Sequence, residues 1–203
     1  KAEVCKTSIR RFNSARRLKN MTYASRAGEK LEHALNSFGI DPQGYICAAF
    51  GSNVGGFVDC LLQKGAQKVY AVERGYGILD WKLRNDSRVV VMERTNAMHV
   101  KIPQELDLIT IDVAWTKLEK IVPNALENIK GEGRIIALLK PHYEADPNLL
   151  GIGKLPEEHI DQVIINVRSK LTELGANVLN MTESPIVGSS GGNKEYLLLI
   201  SKT

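Results

Sequence analysis

Four residues far apart in the chain share one chemistry: Lys30, Asp112, Lys140 and Glu195. Gathered at one place they would make a poor structural cluster, because burying four charges is costly. They would make a good device for handling a proton. A lysine held near carboxylates can accept or stabilise a proton leaving a weakly acidic hydroxyl, while the second lysine and the acids orient it. On spacing alone, a purely structural ion-pair role remains the favoured alternative. A second group offers a cradle. The run Tyr45 to Phe50 meets Gly51, Gly55 and Gly56, and the helical pattern Phe57-Val58-Asp59-Cys60-Leu61-Leu62 follows at once. Glycines at such a junction let bare backbone approach a nucleotide-like ligand at a helix N-terminus, or they serve packing only. Glu73 lies about 20 residues further on, where an acceptor for a ribose diol belongs. Asn96 could address an adenine edge or simply form a turn.

These residues need elements to hold them. Ser25 can cap a helix from Arg26 to Phe38, which Gly39 ends and which carries Lys30. Strands are expected at Tyr45–Phe50, Lys68–Glu73, Arg88–Glu93, Leu106–Asp112, Arg134–Lys140, Asn177–Ser184 and Lys194–Ser201. Between them come helices from Phe57, over Ile78–Arg84 and Lys117–Ile129, and the longest from Pro156 to about Leu174. Gly131-Glu132-Gly133 reads as a turn, and Pro141 as the stop of the fifth strand. Alternating strands and helices imply a doubly wound, Rossmann-like α/β fold: a seven-stranded, mostly parallel sheet covered on both faces, with the closing strands free to pair antiparallel. Ligands bind such sheets outside the carboxyl ends of the strands, where the strand order reverses. Glu73, Asp112 and Lys140 all stand at strand ends.

The 203 residues suit one α/β domain. No apolar stretch approaches the roughly 20 residues needed to cross a bilayer, and no signal-peptide core opens the chain. Lys1 is not a start methionine, so part of a natural N-terminus is expected to be missing. Cys5, Cys47 and Cys60 fit neither a disulfide framework nor a zinc motif, and a cytoplasmic protein is the simplest expectation. The net charge is +4, unevenly spread: residues 1–30 hold nine lysines and arginines against two acids. A basic arm over residues 1–22, on a slightly acidic body, points to a polyanionic partner or to a solvated tail.

The segments Tyr23–Leu31, Gly55–Leu62, Lys68–Glu73, Gly75–Asn85 and Glu93–Ala97 resemble the TlyA/FtsJ-like ribosomal RNA methyltransferases, often named hemolysins. The resemblance continues through Ile111-Asp112-Val113, Leu139–Glu144 and Asn193–Tyr196, and so spans residues 23–203. It implies a methyltransferase domain over that range, S-adenosylmethionine as cofactor, and methylation of a ribose 2′-hydroxyl in structured, ribosomal RNA. The family's lysine–aspartate–lysine–glutamate tetrad falls on Lys30, Asp112, Lys140 and Glu195. Gly51, Ser52, Asn53, Gly55, Gly56, Phe57, Glu73, Asn96 and Asp112 would hold the cofactor. Arg16 and Arg17 of the arm, with Arg26, Arg94 and Lys117, would meet phosphates. No metal is called for, since only the nucleophile's proton must be managed.

Departures from the family pattern are informative. Ala49 stands where an acidic residue normally supports the methionine end of the cofactor. Ser52-Asn53-Val54 replaces the usual Ala-Ser-Thr, Trp115 replaces a smaller segment after Asp112, and a small N-terminal S4 RNA-binding domain is not in the sequence. Ala49 keeps an alternative in view, an RNA-binding relative that binds the cofactor poorly. A membrane-active hemolysin is disfavoured, because the sequence shows no signal, span or long amphipathic basic helix. A dehydrogenase would need G-x-G-x-x-G spacing, which is absent, and would leave the strand-end lysines unexplained.

Overall fold

A computed structural model describes residues 22–188 and 192–203. Most of the arm, with Arg16, Arg17 and Cys5, lies outside the described residues, as does part of the loop before the last strand. The strands are β1 Ile46–Phe50, β2 Lys68–Val72, β3 Val89–Met92, β4 Leu106–Ile111, β5 Ile129–Leu139, β6 Ala176–Glu183 and β7 Tyr196–Lys202. They form one sheet in the order β3-β2-β1-β4-β5-β7-β6. The first five pair in parallel, and β7 lies antiparallel between β5 and β6. This is the expected seven-stranded, doubly wound sheet.

The central strands are predominantly apolar, β1 at every position, because both of their faces are covered. In β1, Ala48 and Phe50 face one apolar cluster, while Cys47 and Ala49 face another on the opposite side of the sheet. The second cluster is roofed by α1 (Ala27–Phe38) and α2 (Gly56–Gln63). The first is covered by α4 (Leu118–Asn128) and α6 (Glu157–Glu173), with the short α5 (Pro141–Glu144) between them in sequence. Phe50 is 1% exposed, so truncation to alanine would cost roughly 3–5 kcal/mol.

Five local expectations need correction. Ser25 does not cap α1: Arg26 holds the N-cap position with no side-chain bond, and the Ser25 hydroxyl lies against Gly56 instead. The helix expected from Ile78 is α3, Trp81–Arg84, and it starts late because the Asp80 carboxylate accepts from the Lys82 amide at 2.9 Å. The Gly131-Glu132-Gly133 turn is part of β5, which begins at Ile129; a register shift between Leu106 and Leu108 on β4 absorbs it. Pro141 ends β5 but also opens α5. Glu195 stands one residue before β7 rather than inside it.

Candidate active site

The order reverses between β1 and β4, and the turn leaving β1 is built for close approach. Gly51 has φ +83°, and a Cβ there would lie 2.4 Å from the Asp112 carbonyl oxygen. Only glycine lets the two strand ends meet at this distance. The amides of Gly51 and Ser52 both donate to the Val72 carbonyl, at 2.9 and 3.0 Å, so the turn is also pinned to β2. Beside it, the Glu73 carboxylate is locked by two backbone amides, Asn53 onto one oxygen and Gly75 onto the other, each at 2.9 Å. Each oxygen keeps a further acceptor site, the requirement for gripping a vicinal diol.

A cavity of about 610 Å³ opens over these strand ends. Of the cofactor candidates, Gly51, Asn53, Glu73, Asn96 and Asp112 line it. Asn96 does so with its side-chain oxygen committed to a turn, accepting from the Met98 amide at 3.0 Å. Ser52, Gly55, Gly56 and Phe57 are not among the lining residues. Phe57 is buried in the apolar cluster under α1, and the side of Gly55 and Gly56 where a Cβ would stand is filled by Leu83 and by Ser25. They hold the turn from behind. Ala49 is likewise buried, 2% exposed in the same cluster.

All four members of the charged tetrad line this cavity. They are arranged as two ion pairs. Lys140 Nζ donates to Asp112 Oδ1 at 2.6 Å and to the Val113 carbonyl at 3.1 Å. Lys30 Nζ donates to Glu195 Oε2. Side-chain exposures of 12–13% for the lysines and 5% and 22% for Glu195 and Asp112 put both pairs in partly dry surroundings, where charge acts more strongly than in water. Two of the three Lys140 donors are spent on holding its position, and one is left for an incoming oxygen. Among the described residues no group of histidine, cysteine and acid side chains is arranged to hold a metal ion.

Aromatic and basic side chains line the cavity or adjoin its lining residues along the chain. Trp115, 82% exposed and at φ +60°, stacks on Tyr143 with ring centroids 4.7 Å apart, and Lys140 Nζ lies 5.6 Å from the Tyr143 ring. Arg26 lines the cavity. Arg94, exposed at φ +53°, sits 4.5 Å over the Tyr76 ring. Lys117 is placed elsewhere: its ammonium donates to the Glu144 carbonyl at 2.9 Å and faces a second cavity. Sequence reasoning gave His142 no role, although it also lines the site. It is 8% exposed, and burial holds its imidazole below the usual histidine range; the Glu195 carboxylate pulls the other way and the Lys140 ammonium adds to the lowering.

Residues 23–202 match the FtsJ-like methyltransferase family. The chain belongs to that family. The FtsJ-like chain is 39% identical over 186 residues to hemolysin A of Brachyspira hyodysenteriae, a match covering 89% of this chain and 77% of that one. It is 35% identical over 188 residues to the 16S/23S rRNA (cytidine-2′-O)-methyltransferase TlyA of Mycobacterium tuberculosis, covering 89% and 69% respectively. A solved structure of a hemolysin from Lactococcus lactis superposes with a TM-score of 0.86 at 38% identity, covering 91% of this chain and 90% of that one. An S-adenosylmethionine-dependent methyltransferase from Listeria monocytogenes, 15% identical with a TM-score of 0.65, shares the fold. FtsJ-like methyltransferases draw their methyl group from S-adenosylmethionine.

Proposed function

We propose that this FtsJ-like chain methylates a ribose 2′-hydroxyl in structured ribosomal RNA, in the cytoplasm, through a methyltransferase domain spanning residues 23–203. The observation that carries the reading is the pair of lysine–carboxylate bridges lining the same cavity as the Glu73 grip. The cavity of about 610 Å³ fits a nucleoside bearing an amino-acid tail. Glu73 would take the ribose diol, Gly51 and Asn53 the bare approach of the turn, and Asn96 the base end. S-adenosylmethionine supplies an electrophilic methyl group when bound.

The chain's own residues manage the acceptor. Lys140, held by Asp112 and the Val113 carbonyl, presents a fixed cationic donor to the 2′-oxygen and stabilises the negative charge that grows there. Lys30, held by Glu195, orients the same hydroxyl from the other side. Both act mainly by electrostatics and positioning, because each already donates to a carboxylate. Trp115 on Tyr143 offers an exposed ring face to a nucleobase, and Arg26 and Arg94, with the arm including Arg16 and Arg17, would meet phosphates. Lys117 is less suited to that role, since its ammonium is already engaged. The names of the relatives support ribosomal RNA as substrate.

The test is methyl transfer from labelled S-adenosylmethionine to ribosomal RNA, with the product nucleosides separated. A methyl on ribose oxygen supports the reading; a methyl on a base, or none, sinks it. The apolar residue at position 49 favours a second reading, an RNA-binding relative with weak cofactor binding. Calorimetry against Ala49→Asp separates the two: a carboxylate that reaches the cofactor from this buried position is worth roughly 1.5–3 kcal/mol, about one to two decades in affinity, and one that stays in the apolar cluster leaves affinity unchanged. Equal, tight binding by both chains would remove that second reading.

A further inference from the structure

The tetrad leaves the departing proton without an obvious destination. Both lysines are donors in ion pairs, Lys140 to Asp112 and Lys30 to Glu195. The carboxylates they hold are weak bases by nature. Near both pairs is His142, next but one to Lys140 along the chain and close enough to Glu195 and Lys140 to feel both charges. It lines the same cavity although it is 8% exposed. Its Nδ1 is enclosed and has no hydrogen-bond partner among the described residues. Its Nε2 is not enclosed in this way and has no described partner either, so this edge of the ring is the one that meets the cavity. The ring is backed by Tyr143, centroids 4.2 Å apart at 54°. The remaining ionisable side chain on α5, Glu144, accepts from the Leu118 amide at 2.8 Å, while Tyr143 is the ring that backs the imidazole.

We propose that His142 is a catalytic residue: its Nε2 takes the proton of the acceptor hydroxyl while Lys140 steadies the oxygen. This rests on the ribose-methylation reading above. In the step, the 2′-O–H bond breaks toward Nε2 and the oxygen pair forms the new O–C bond. The C–S bond of the S-adenosylmethionine sulfonium breaks, leaving a neutral thioether. The imidazolium, faced by Glu195, returns its proton to water once product has left. Burial keeps the ring unprotonated at neutral pH, so a lone pair is available where the two ammonium groups offer none.

The test is single-turnover methylation of ribosomal RNA at saturating S-adenosylmethionine, across pH, for the full chain and His142→Gln. Glutamine keeps the size and the hydrogen-bonding capacity but cannot take the proton. The expected result is a rate about 10²–10⁴-fold lower in His142→Gln, with unchanged cofactor binding. The original chain should lose rate as pH falls through a pKa below the usual histidine value, and the variant should lack that limb. The imidazole signal that disappears in His142→Gln should titrate over the same pH range by NMR. A variant that forms ribose 2′-O-methyl product with the original rate and pH limb overturns the proton-acceptor role and leaves the function reading intact. If the unaltered chain methylates a base, or nothing, the function reading fails and this role falls with it.

Discussion

Replacing Lys140 with alanine separates chemistry from cofactor binding. Its ammonium sits 2.6 Å from Asp112 Oδ1 and 3.1 Å from the Val113 carbonyl, which leaves one donor for the acceptor oxygen. Losing one positioned donor from a partly dry site costs about 10²–10³ in rate, roughly 2.7–4 kcal/mol. The change also strands the Asp112 carboxylate, 22% exposed, without its cation. An unpaired group of this kind destabilises a fold by roughly 1–3 kcal/mol, and partial exposure keeps the figure toward the lower end. Lys140→Ala should therefore melt somewhat earlier, and Lys140→Ala/Asp112→Asn should recover part of the loss. S-adenosylmethionine affinity by calorimetry should hold in Lys140→Ala, because the lysine faces the acceptor. In Asp112→Ala both binding and transfer should fall, if Asp112 meets both ligands as proposed. The assay is single-turnover transfer of labelled methyl to ribosomal RNA with saturating cofactor. A Lys140→Ala chain that methylates ribose at a comparable rate would show that the tetrad is not the catalytic apparatus.

Four further outcomes follow from the same geometry. Gly51→Ala should lose cofactor affinity and stability together, because its Cβ would sit 2.4 Å from the Asp112 carbonyl at a φ of +83°; a variant that binds as before would refute the close approach. Burial raises the Glu144 carboxyl above its ordinary value despite the Leu118 amide, so its contribution is favourable at low pH and is lost as pH rises through the raised pKa. Melting curves of Glu144→Gln should accordingly gain on the original chain from mildly acidic to neutral pH, and a constant offset would contradict this. Burial pushes the Cys60 thiol up to about 12 and Cys47 higher still, so labelling read by mass spectrometry should reach neither before denaturant is added. Deleting residues 1–22 should weaken RNA binding for all sequences alike and flatten its salt dependence, whereas an unchanged slope would make the arm a bystander.

Much of the site was legible because a doubly wound sheet converts sequence positions into places. Glu73, Asp112 and Lys140 each follow an apolar run of strand length, and parallel strands deliver such residues to one edge. The pairing within the tetrad was not legible. Lys30 and Glu195 meet only because β7 inserts beside β5, an antiparallel step that local patterns permit without requiring it. Phe57 and the glycines at 55 and 56 look like cradle residues in sequence, yet a helix packed behind the turn uses them as filler. The long β5 was hidden by Gly131 and Gly133, which mark turns in most contexts and here sit at a register shift. His142 was overlooked because one histidine after a proline carries no periodic signal; its enclosure by the surrounding fold gives it interest.

The alternation along β1, with Ala48 and Phe50 on one side and Cys47 and Ala49 on the other, makes the sheet a partition between two cores. The two ion pairs are anchored on different sides of that wall: Lys30 rides on α1, roofing one core, whereas the chain after Lys140 turns into α5 on the side of the other. Mutational coupling should then follow the wall rather than distance along the chain. Leu35→Ala and Ile121→Ala, drawn from opposite cores, should change activity additively in the double variant, while Leu31→Ala with Leu35→Ala, sharing one core, should not. With this layout, the surroundings of either ion pair can be tuned while those of the other stay as they were.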